Sequence, residues 1–133
     1  MSTRYVVDTH TLLWYIADER MLGKRAGAIL DDPTSQLVLP AIVLAEACYI
    51  IEQGKVSLAL SDLLAAIDND LRITLIPLDR TIVERTTKLT VVREMHDRQI
   101  VATALVLADQ GEDVIVLTKD MNITTSGVVT TVW

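Results

Sequence analysis

A single cysteine, Cys48, leaves the chain no internal disulfide, and with it go Cys-rich zinc ligation and any Cys-x-x-Cys redox pair. Phenylalanine is absent and the aromatics amount to two Trp and three Tyr. The core therefore has to be aliphatic, and platforms for stacking single-stranded bases are few. No Gly-rich loop running into Lys and Ser or Thr occurs, which argues against a phosphate-loop nucleotide enzyme. No segment supplies the roughly 20 uninterrupted apolar residues that span a bilayer. The opening stretch MSTRYVVDTHTLL lacks the apolar run and cleavage site of a secretory signal. A soluble, cytoplasmic protein that does not touch membrane is expected. Positive charge is also short, with 12 Lys and Arg against 18 Asp and Glu for a formal net charge of -6. Such a balance disfavours a stoichiometric nucleic-acid binder, which normally offers a basic face. It does not exclude a metal-dependent nuclease, because acidic side chains meet phosphate through a bridging cation.

What is present is 133 residues, 50% apolar and 23% charged, enough for one domain over 1–133 with a hydrophobic core of its own. Short apolar runs alternate with helical stretches. Residues 5–7 form a run that stops at Asp8, and 9–17 follow as a helix with Leu12, Leu13 and Ile16 inward. A second helix over 22–31 ends before Pro33. A strand enters at Leu37, Pro40 sits in the first turn of the next helix, and that helix runs to a C-cap near Gly54. Ser57 is expected to cap a helix reaching Asp68, a strand starts at Leu71, and Asp79 caps a helix holding Ile82, Val83 and Leu89. Asp97 is read as opening the clearest helix, with Ile100, Val101, Ala104, Leu105 and Ala108 on one stripe and Gly111 just beyond. A buried strand over 114–118 and an edge strand from Val128 complete the chain. The pattern predicts parallel crossover units.

In open parallel sheets the ligand crevice lies beyond the carboxyl ends of the strands. Asp8 and Asp120 fall just past strands, Asp97 at a helix start, and Glu46 inside a helix that follows a strand. Glu46 is the clearest anomaly, since it shares a helix face with Ile42, Val43, Tyr49 and Ile50. A carboxylate there needs a partner. That partner is either a structural salt bridge or a metal with its ordered water. Asp8 and Asp97 read equally as helix caps, and Asp120 as a turn former.

The segments VVDTHTLLW, AEACYIIEQGKVSL, HDRQIVATAL, VLTKD and VVTTVW, in that order and spacing, resemble PIN-domain proteins, especially the VapC-like toxins of toxin–antitoxin pairs. The resemblance covers essentially the whole chain. It implies a single α/β/α sandwich around a mainly parallel central sheet, and a ribonuclease dependent on Mg2+ or Mn2+. It matches the family's four acids to Asp8, Glu46, Asp97 and Asp120, with Thr9 and Thr118 at small hydroxyl positions near the site. Asp8, Glu46 and Asp97 would form the metal-binding core, with Asp120 supporting it or helping to hold a second ion. RNA as substrate, a cognate VapB-like antitoxin and a homodimer are implied in the same way. Two departures from one branch stand out: Glu94-Met95-His96-Asp97-Arg98 lacks the usual Asp-Pro, and Pro40-Ala41 replaces a common Ser or Thr.

His10 and His96 are read as satisfying a turn or helix terminus rather than as ligands, Arg98 as neutralising an acid or approaching phosphate, and the two Trp as packing residues. Arg80, Arg85, Lys88 and Arg93 form either a substrate path or an ordinary solvated face. Two rival functions stay open on the residues alone: a phosphoacceptor receiver, although Asp8 has no neighbouring acidic partner, and a protein-binding module without catalysis.

Overall fold

A computed structural model describes residues 2–133. Five strands, β1 (Thr3–Val7), β2 (Gln36–Pro40), β3 (Ile73–Ile76), β4 (Asp113–Leu117) and β5 (Thr131–Val132), form one sheet in the order β3-β2-β1-β4-β5. Every neighbouring pair is parallel. Each parallel step requires a crossover, and the helices supply them: α1 (Thr9–Ala17), α2 (Lys24–Asp31), α3 (Ala41–Glu52), α4 (Leu60–Asp68), α5 (Arg80–Thr86), α6 (Met95–Asp109) and the single turn α7 (Met121–Thr124). The result is an α/β/α sandwich around a parallel sheet, the class that the alternating pattern predicts.

The three central strands are buried most deeply toward their carboxyl ends, where Val6, Val7, Leu39, Val116 and Leu117 are almost inaccessible. Val43 and Ala47 of α3 and Val101 and Ala102 of α6 pack into the same core. These branched and small side chains suit a sheet covered on both faces. Gly54 and Gly111, just past α3 and α6, both take positive φ (70° and 91°), as helix-ending glycines do. Among the described residues no helix is long and apolar enough to cross a membrane.

Several boundaries differ from the sequence reading. Pro40 ends β2 and stands at the N-cap of α3, one position earlier than expected. Ala59, not Ser57, precedes α4, and α5 ends before Leu89. Asp97 is not the cap of α6. Glu94 is, its carboxylate accepting from the amides of His96 (3.0 Å) and Asp97 (2.9 Å). α6 also buries more than a stripe: Ile100 through Ala104 are all inaccessible and Ala108 is exposed, because the helix is wedged between the sheet, α3 and α5.

Candidate active site

The strand order reverses direction at β1, which lies between β2 and β4. Crevices open beyond the carboxyl ends of strands at such a point. Val7 pairs with Leu117, so Asp8 and Thr118 leave the sheet side by side. The consequence is a fixed chain of bonds. The Thr118 hydroxyl donates a short hydrogen bond to Asp8 Oδ2, and the Asp120 amide donates to Thr118 Oγ1 at 3.0 Å. Asp8 Oδ1 accepts from the Thr11 amide at 2.9 Å, capping α1. Asp8 is therefore both a cap and a wall of the crevice. Burial pushes its carboxyl above the ordinary range, against the opposing pull of the Thr11 and Thr118 bonds.

Glu46 enters from the second turn of α3, which packs on α1 and α6. Its Oε1 accepts a short hydrogen bond from the Thr9 hydroxyl, and its Oε2 stands 3.4 Å from His96 Nδ1. The partner that its apolar helix face called for is thus a hydroxyl and an imidazole, with no Lys or Arg bridge among the described residues. Asp97, in the first turn of α6, accepts from Asn122 Nδ2 at 3.3 Å. Its carboxyl is pushed up to about 6, first by burial and then by the negative charges of Asp120 and Glu94, with a further push from Glu46; the Asn122 bond opposes them. Asp120 caps α7 through the Asn122 amide at 2.8 Å.

Asp8, Glu46, Asp97 and Asp120 all line one cleft of about 250 Å³, together with Thr9, His10, Glu94, His96, Ile100 and Asn122. A larger groove of about 700 Å³ adjoins it, lined by Leu13, Ile42, Tyr49, Ile50 and Val56 and sharing only His10, Glu46 and His96 with the acidic cleft. Its walls are mainly apolar, and the four acids meet only in the smaller space.

Oxygen donors of this kind suit a hard divalent cation, and the crowding of negative charge that raises Asp97 is what such an ion relieves. Yet among the described residues no three His, Cys, Asp or Glu side chains stand close enough to hold one ion in common. The carboxylates repel one another, and each takes a hydroxyl, amide or imidazole partner of its own. The donor set therefore fits an ion bound through one or two carboxylates and water, the usual habit of Mg2+, better than an all-protein cage.

Asn122 and Glu94 also line the acidic cleft, where the sequence reading did not place them. Nothing in the periodicity marks Asn122, and Glu94 competes with Asp97 for the same cap. Arg98 forms no ion pair among the described residues, and its Nε donates a short bond to the Val92 carbonyl. Arg80 and Arg85 are paired with Glu84 (2.7 Å) and Asp109 (3.6 Å), which favours the solvated face over a substrate path.

Residues 5–124 match the PIN domain, and the chain belongs to the PIN-domain family. Solved structures share the fold along their whole length. VapBC2 from Rickettsia felis, bound to a DNA fragment from their promoter, gives a TM-score of 0.71 at 15% identity, over 98% of this chain and 98% of that one. FitAcB from Neisseria gonorrhoeae gives 0.63 at 17%, over 96% and 95%. VapBC-1 from nontypeable Haemophilus influenzae gives 0.63 at 17%, over 97% and 96%. No curated protein matches the chain in sequence.

Proposed function

We propose that this protein is a divalent-metal-dependent endoribonuclease that hydrolyses RNA phosphodiester bonds, and that it is the toxin of a toxin–antitoxin pair. The observation that carries the reading is the meeting of four acids from four separate chain segments in one cleft at the reversal point of the sheet. Membership of the PIN-domain family and the VapBC and FitAB context of the similar folds support it.

One or two of Asp8, Glu46 and Asp97 would bind Mg2+ or Mn2+ directly and the rest of that trio through its water, with Asp120 supporting them from the loop after β4. When bound, the cation supplies Lewis-acid stabilisation of charge on the scissile phosphate and favours ionisation of water. Asp8 is held rigidly by Thr11 and Thr118, so its orientation survives without substrate. Thr9 fixes Glu46, and Asn122 fixes Asp97. With a carboxyl near 6, Asp97 changes its charge between pH 5 and 7.

A defined RNA panel incubated with Mg2+, Mn2+ or chelator tests the reading. Cleavage should need the metal, and Asp8→Asn, Glu46→Gln and Asp97→Asn should each remove most of it while the protein stays folded. Undiminished cleavage by a well-folded Asp8→Asn protein, free of contaminating nuclease, overturns it. The toxin role is tested by copurification with a VapB-like antitoxin encoded next to this chain and by relief of inhibition when that antitoxin is removed. A homodimer is part of the proposal, motivated by exposed Leu71 and Leu75 at the β3 edge and Leu60 and Leu64 on α4; sedimentation measures it.

A further inference from the structure

Beside the acidic cleft, and sharing Asp8, His10 and Asp120 with it, lies a second cleft of about 280 Å³ completed by Trp14, Lys119 and Trp133. Residues from α1, the loop after β4 and the C-terminal residue meet here. Trp14 and Trp133 pack edge to face with centroids 5.7 Å apart, and the His10 ring lies 5.4 Å from Trp14. The Lys119 ammonium is 4.8 Å from the Trp14 ring centroid and 5.7 Å from that of Trp133.

The seat of Trp133 is a built feature. A Cβ on Gly23 would stand 2.4 to 2.7 Å from Trp133 atoms, so only glycine at that position admits the indole. Five arginines, Arg4, Arg20, Arg72, Arg80 and Arg85, are paired with carboxylates, and the other seven Lys and Arg, Lys119 among them, form no ion pair with the described residues. Lys119, although adjacent in sequence to Asp120, makes no ion pair among the described residues and rests on indole faces instead. A cation–π contact leaves the ammonium's N–H donors available to an anion. In a chain of net charge -6, an unpaired ammonium at the rim of an acidic cleft is what a phosphate chain needs to approach.

We propose that this second cleft is a nucleotide subsite for single-stranded RNA: Lys119 contacts the backbone phosphate next to the bond that is cut, and Trp14, framed by His10 and Trp133, stacks the adjoining base. An aromatic face beside a cation is the sequence-tolerant way to hold a single strand. At about 280 Å³ the cleft stands at the low end of the roughly 300–1,000 Å³ of small-molecule sites, a size that suits one nucleotide. The inference rests on the ribonuclease reading. It also gives the two tryptophans a second use, since their mutual packing builds the wall on which a base is stacked.

Both tryptophans of the chain line this cleft, so total indole emission reports its occupancy. Full-length protein carrying Glu46→Gln, a residue outside this cleft, is titrated in Mg2+ with tetraadenylate, tetrauridylate and an abasic tetramer of the same backbone. The two base-bearing tetramers should quench saturably, the abasic one much less, and a further Lys119→Gln change should weaken binding about ten-fold. In cleavage assays Trp14→Leu should raise KM roughly ten-fold with kcat held within about two-fold, and Trp14→Tyr should recover most of the loss. Should Trp14→Leu fail to fold, the exposed Lys119→Gln gives the same KM test. Absent quenching, equal quenching by the abasic tetramer, or an unchanged KM in an active Lys119→Gln enzyme overturns the subsite. Absence of RNA cleavage by the wild-type chain in both metals overturns the ribonuclease reading instead, and the quenching result is scored independently of it.

Discussion

Replacing Asp97 by Asn should make the metal-free protein more stable at neutral pH. Burial and the charges of Asp120 and Glu94 raise the Asp97 carboxyl from the ordinary 3.8 to about 6. The native state therefore binds this proton more tightly than the unfolded chain does. The stability that this affinity contributes is present in full below the unfolded pKa and is lost as pH rises through about 6. At about 1.4 kcal/mol per pH unit the ceiling on that loss is ~3 kcal/mol. The carboxylate opens onto a cleft, and solvent screening brings the expected figure down to about 1 to 2 kcal/mol. Asn is uncharged at every pH, still offers an acceptor to Asn122, and adds donors to a space crowded with acceptors. Denaturation of both proteins in chelator from pH 4 to 8 should show Asp97→Asn ahead at pH 7.5, by roughly 4 °C in Tm for each kcal/mol, with the two curves converging near pH 4. Millimolar Mg2+ should narrow or reverse the gap by binding the wild type. An Asp97→Asn protein less stable than wild type at pH 7.5, or a gap that does not close toward pH 4, refutes the reasoning.

Thr118→Val removes the hydroxyl that donates to Asp8 and accepts from the Asp120 amide; the orphaned groups should cost about 1–3 kcal/mol, and RNA cleavage should fall with secondary structure intact by circular dichroism. Arg72→Met frees Asp70 and takes a donor from the Leu30 and Asp32 carbonyls and from Tyr15. It should lower stability by about 2–4 kcal/mol while leaving the KM for RNA unchanged in protein that remains folded. Added Mg2+ should raise the wild-type Tm at pH 7.5 and do so progressively less toward pH 5, as protons compete for Asp97; thermal shifts across a Mg2+ series measure this.

The parallel sheet and the ends of its strands were legible because three apolar runs each stop abruptly, at Asp8, at Pro40 and before Asp120. Those stops mark the carboxyl edge, and an acid just past a stop is an acid at the crevice. Glu46 was legible for a different reason, since a carboxylate on an apolar helix face has to be answered. Its partners were not, because Thr9 and His96 reach it only through the packing of α1, α3 and α6. The start of α6 was misread where Glu94 and Asp97 both have capping chemistry and tertiary contacts decide between them. The turn α7 carries no amphipathic period in its four residues, and Asn122 went unseen with it. Trp14 and Trp133 lie at opposite ends of the chain, and no local pattern reports a contact of that span.

The sheet order sets β1 and β2 side by side as an inner pair, with β3 flanking β2, β4 flanking β1 and β5 outside β4. Asp8 and Glu46 belong to the half of the chain that supplies this pair, and Asp97 and Asp120 to the half that closes on it from both sides. Cut in the segment between α3 and α4, the protein becomes two fragments that each hold two of the four acids, and neither holds the whole cleft. Their reunion must restore two strand pairings at once, β2 with β3 and β1 with β4, before the acids face one another. The domain is in that sense a coincidence detector, and on the proposed ribonuclease reading a split version would turn the meeting of any two proteins fused to it into cleavage of RNA.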